Sequence, residues 1–110
     1  MKIAAIVAFS LLLIGRASAD EKTDAMSAYV LCARHMAVKF EPSGESPESI
    51  ASAAVWACTA EGAKAFNSLL SDPLNTPQQL VESAKLSAVG QVVGVRLCKK
   101  TKDCSYARVP

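Results

Sequence analysis

Four cysteines, Cys32, Cys58, Cys98 and Cys104, constrain this chain more than any other feature. All lie downstream of residues 1–19. There, Lys2 precedes an apolar run from Ile3 to Ile14, and Gly15-Arg16-Ala17-Ser18-Ala19 supplies the small residues that a signal peptidase requires. The pattern predicts a cleaved secretory signal, because its apolar run is about twelve residues and a membrane-spanning helix needs about twenty. Cysteines delivered to an oxidising compartment pair as disulfides. The expected location is the periplasm or the medium outside a bacterial cell.

The remainder, residues 20–110, reads as one helical domain. A chain of 110 residues is too short for a doubly wound nucleotide fold or a barrel. With 51% apolar and 20% charged residues it is too hydrophobic for wholesale disorder. A domain this small buries a modest core and gains from covalent staples.

Breakers and caps place three helices. The first runs from about Asp24, a candidate N-cap, to Phe40, with Met26, Tyr29, Ala33, Met36 and Phe40 at spacings of three and four. Glu41-Pro42-Ser43-Gly44 ends it, since the residue before proline is pushed out of the helical region. The second opens on Ser46 as N-cap, Pro47 at the first helical position and Glu48 in the first turn. It carries Ile50, Ala54, Ala57 and Cys58 on one side and continues towards Phe66, Leu69 and Leu70, with Gly62 as a bend, until Asp72-Pro73 stops it. Thr76-Pro77-Gln78-Gln79 has the form of a capping box and starts the third. Val81, Ala84, Ala88, Val92 and Val95 form that helix's expected inner face. The expected fold is therefore an all-α, three-helix, disulfide-bonded domain. The alternative gives residues 89–98 to a strand paired with Cys104–Val109, leaving a two-helix hairpin, a shorter helix and a disulfide-tied β-hairpin.

In an antiparallel hairpin turning at Pro42 to Ser46, facing residues have numbers averaging near 45, which is the mean of 32 and 58. The spacing therefore predicts Cys32 joined to Cys58, leaving Cys98 to join Cys104 across a short loop. In the loop-entropy account these closures contribute about 3.5 and about 2.4 kcal/mol. Gaps of this size do not suit a zinc site, and with no Cys-x-x-Cys a thioredoxin-like centre is excluded.

The formal charge of +2 belongs to Lys2 and Arg16, so residues 20–110 are neutral overall. Asp20 to Glu82 nevertheless carries nine acids against four bases, and Ser83 to Pro110 six bases against one acid. The densest positive cluster, Lys99, Lys100 and Lys102, suits the negative end of a helix dipole and is a candidate site for an anionic envelope surface. Nucleic acid is not an expected partner, because no aromatics are interleaved with these bases.

Cys32-Ala33-Arg34-His35-Met36 resembles the Cys-x-Arg-His-Asp signature of the small secreted phospholipases A2 of bacteria and fungi. The resemblance implies a general base at His35 and calcium held by the next residue. That residue is Met36 here, and Lys39 replaces a Tyr of the signature. Without the carboxylate the calcium that steadies the developing oxyanion lacks a ligand. One His and no Gly-x-Ser-x-Gly provide no other nucleophile and base. The expectation is a protein without catalytic activity, cofactor or metal, acting by binding or structural interaction. A periplasmic holdase is the alternative class, by analogy with short helical acid chaperones of similar size and cysteine use. A secreted phospholipase-like enzyme is the other.

Two further features bear on partners. Trp56, the single tryptophan, is expected in the core. If Val81 to Val95 face inwards, Leu86, Gly90, Val93, Gly94 and Leu97 lie opposite on the third helix. Gly90 and Gly94 would form a shallow groove there, suited to a homodimer or an envelope protein.

Overall fold

The computed structural model describes residues 24–70, 76–105 and 107–109. The expected signal, the Asp72-Pro73 stop and Tyr106 lie outside them. Among the described residues there is no strand. Helix α1 covers 24–40 and passes into a 3-10 turn, Glu41–Ser43; α2 is Pro47–Ala57, α3 Thr59–Ser68 and α4 Pro77–Thr101. Residue 24 is already helical, so Asp24 is not the N-cap of α1.

Most boundaries follow the local chemistry. Gly44 takes φ +76°, a conformation that a Cβ penalises, and its N–H closes on the Glu41 carbonyl at 3.2 Å. The Ser46 hydroxyl accepts the Ser49 N–H at 3.2 Å. The capping box of α4 is complete, with Thr76 Oγ1 accepting from Gln79 N–H at 3.2 Å and Gln79 Oε1 accepting from Thr76 N–H at 3.0 Å. Residues 89–98 are helical throughout, so the terminal β-hairpin is not formed. At 25 residues, α4 is about 37 Å long.

The expected second helix is two helices, and the break falls at Cys58 instead of Gly62. Cys58 leaves helical geometry at φ −102°, ψ 27°, and its N–H reaches only to Val55, at 3.1 Å. The Thr59 hydroxyl donates to the Trp56 carbonyl at 2.6 Å, competing with the helical ladder. Cys58 is at the same time bonded to Cys32 on α1. The chain turns at this anchor so that α3 lies on Tyr29, where a Cβ at Gly62 would stand 2.6 Å from Tyr29 Cε2. Gly62 therefore serves close approach, not bending.

The core is built largely of alanine. Ala33 and Ala37 of α1, Ala54 of α2, Ala65 of α3 and Ala84 and Ala88 of α4 are all fully buried, joined by Tyr29, Ile50, Leu69, Leu80 and Val92. Short side chains let helix axes approach closely. The rings of Tyr29 and Phe66 pack with centroids 6.1 Å apart, and burial pushes the Tyr29 phenol above its ordinary pKa. On α4 the seat differs from the expected one: Leu80 is buried where Val81 was expected, Val95 is only half-buried, and Gln91 and Gly94 are buried. Earlier in the chain Ala57, at the end of α2, and Leu70, in the turn after α3, are exposed.

Candidate functional site

Both disulfides pair as the hairpin midpoint and the short terminal loop require, Cys32 with Cys58 and Cys98 with Cys104. The first joins α1 to the α2–α3 junction. The second folds the chain back after α4, where Lys102 adopts φ +67° and its N–H bonds the Cys98 carbonyl at 2.9 Å. Asp103 then accepts the Ser105 hydroxyl at 2.7 Å and the Ser105 N–H at 3.2 Å, which holds its carboxyl below the ordinary range.

Two buried polar groups complete the frame. Glu41, 6% exposed, accepts a hydrogen bond from Lys99 Nζ, and Arg96 Nε stands 3.5 Å from its other oxygen. The Lys99 hydrogen bond leads in lowering the Glu41 pKa; burial opposes it, and the charges of Lys99 and Arg96 assist. Arg96 donates as well to the Glu45 carbonyl. Gln91, 2% exposed, accepts from Arg34 Nε at 2.9 Å and donates to the Ala107 carbonyl, while Arg34 Nη2 donates to the Arg108 carbonyl at 3.2 Å. The tail after Cys104 is thereby held against α1 and α4.

These ties reassign several sequence expectations. Lys99 belongs to the Glu41 clasp, so the proposed basic cluster retains only Lys100 and Lys102 as exposed lysines without that engagement. Gly94 lies on the flank of Gln91, is buried, and drops out of the outer groove. Within the string that resembles the phospholipase signature, Cys32 is in a disulfide, Arg34 holds the tail, His35 is exposed and Met36 packs on the core. Among the described residues the one metal-capable grouping is Cys32, Cys58 and Glu61. Its two sulfurs are bonded to each other, which leaves no thiolate to coordinate an ion.

Among the described residues, two surfaces carry large apolar side chains left in solvent on helices. Trp56 is 79% exposed, contrary to the core position expected. It borders a groove of about 240 Å³ lined by Tyr29, Val55, Thr59, Gly62, Phe66 and Val81. The second surface is the outer face of α4, where Leu86, Val93 and Leu97 are exposed around Gly90. A Cβ at Gly90 would meet nothing within 4 Å, so this glycine costs α4 about 1 kcal/mol relative to alanine with no packing within the chain to require it. A larger apolar concavity of about 420 Å³ lies between the first turns of α1 and α4, with Met26, Val30, Leu31, Leu69 and Leu80 on its walls. It borders the ends of the described segments.

No protein-family model, curated protein or solved structure matches this chain. Among the described residues no helix is long and apolar enough to cross a membrane.

Proposed function

We propose that this chain is an exported, disulfide-stapled helical module that binds a protein partner in the bacterial envelope through the Trp56 groove and performs no catalysis. The exposure of Trp56 carries this reading. The side chain stands on a helix whose end is locked to α1 by Cys32–Cys58, so the backbone that carries it is held in place before a partner arrives. A rigid aromatic beside an apolar groove is the usual anchor of a binding hot spot, since much area is buried for little lost side-chain freedom. Tyr29, Val55, Phe66 and Val81 suit an apolar side chain presented by that partner. Export is supported by the signal-like residues 1–19 and by the use of all four cysteines in bridges. A non-catalytic role is supported by the structural employment of Cys32 and Arg34.

The single tryptophan is also the reporter. Its emission shifts to the blue as envelope proteins occupy the groove. Trp56→Ala removes their capture while leaving thermal unfolding within about 0.5 kcal/mol, as for other exposed positions. Capture undiminished in Trp56→Ala overturns the reading.

A further inference from the structure

We propose that the outer face of α4 is the interface of an antiparallel homodimer, with Leu86 packed on Leu97 of the second copy and Val93 seated over Gly90. The exposed positions 86, 90, 93 and 97 follow the four-three-four spacing of a coiled-coil seam, and Leu86, Val93 and Leu97 are 71%, 50% and 42% exposed. This seam is symmetric about its own centre. Positions 86 and 97, and 90 and 93, are equidistant from one point between residues 91 and 92. A two-fold axis there places a leucine against a leucine and a valine against a glycine, as an isologous contact demands.

Charge points to the same register. Glu82 and Lys100 are exposed and have no ion-pair partner among the described residues. At 100° per residue both lie on one flank of the seam, about 50° from its centre. The two-fold axis keeps that flank on the same side in both copies, so Glu82 of each copy comes within one residue of level with Lys100 of the other, giving two ion pairs. Gly90 explains the remaining cost: it has no neighbour within its own chain, and a helix crossing here needs room for Val93. The seam is independent of the Trp56 groove, because Val81 lies roughly 150° round α4 from it.

A single helix pair buries less than a standard interface, so the dimer is weak, with a dissociation constant of order 10–100 µM. Sedimentation equilibrium of the exported, disulfide-intact protein up to about 500 µM reads it. Gly90→Leu abolishes the dimer without lowering the melting temperature measured in dilute solution. Glu82→Lys raises the dissociation constant about tenfold, and Glu82→Lys combined with Lys100→Glu restores it to within about twofold. A strictly monomeric protein at the top concentration overturns the proposal, and so does a dimer indifferent to Gly90→Leu. Failure of the double charge exchange to restore association overturns the antiparallel register.

Discussion

The two faces of α4 are filled in the opposite sense to what burial alone favours. Beyond Leu80 in its first turn, the inner face presents Ala84, Ala88 and Val92, all fully buried, and the outer face presents Leu86, Val93 and Leu97 to solvent. A buried methylene stabilises by about 0.8 kcal/mol, so exchanging the two sets would bury more apolar area. What the inner face obtains instead is proximity, because short side chains let the helix backbones approach closely. The interior is thus specified by distance more than by hydrophobicity. The outer face is free of that limit and keeps its large residues.

The sharpest way to break this contrast is Ala88→Leu. The added atoms have nowhere to go in a seam where Ala84, Ala88 and Ala54 are completely inaccessible, and overpacking there costs about 3 kcal/mol. Thermal or denaturant unfolding measures it. A loss below about 0.5 kcal/mol shows that the alanine seam is not close-packed.

Glu41→Gln sits next in size, at about 1 kcal/mol near neutral pH, from losing the charged partner of two cations whose own side chains stay partly in water. Its signature is the pH dependence. The folded-state pKa of Glu41 is lowered, so its contribution is complete above the unfolded value of about 4.3 and disappears as pH falls through the lower folded value. Denaturant unfolding at pH 7 and again near pH 3 should show the gap between the native protein and the variant closing in acid. A constant gap would mean that Glu41 acts by shape alone.

The smallest effect belongs to the outer face. Leu86→Gln changes the stability of the dilute, monomeric protein by no more than about 0.5 kcal/mol, because Leu86 is exposed within the chain. Chemical denaturation at low micromolar concentration checks this, and a loss above about 1 kcal/mol would place Leu86 in the fold after all.

How far the sequence carries is visible in these same residues. Ser46-Pro47, Thr76-Pro77 and Gly44 act on backbone groups within three residues, so the starts of α2 and α4 and the end of α1 were legible. The disulfides followed from one turn and simple counting. The break at Cys58 was not, since it arises from a covalent tie to α1 together with the demand that α3 lie on Tyr29. Inner and outer faces of α4 were blurred because alanine gives little hydrophobic contrast, which moved the expected seat from Leu80 to Val81. Nothing local marks Glu41 or Gln91 for burial, because their partners, Lys99 and Arg34, stand 58 and 57 residues away in the chain. Trp56 looked like core because size and apolarity usually lead inwards, and nothing local signals that an aromatic has been left in solvent.

The order of the bridges along the chain bears on how the protein is made. Cys32 joins the next cysteine to appear, Cys58, and Cys98 joins the next after that, Cys104. A polypeptide emerging N-terminus first into an oxidising space therefore offers each cysteine its proper partner before a competing one arrives. When Cys58 emerges, Cys32 is the one thiol available. Cys98 would follow 40 residues later along the sequence, an interval in which the first pair could close. In a chain exported as proposed above, consecutive pairing of this kind would need no shuffling: oxidation could keep pace with translocation, and the helical hairpin could be locked while the segment that becomes α4 was still in transit.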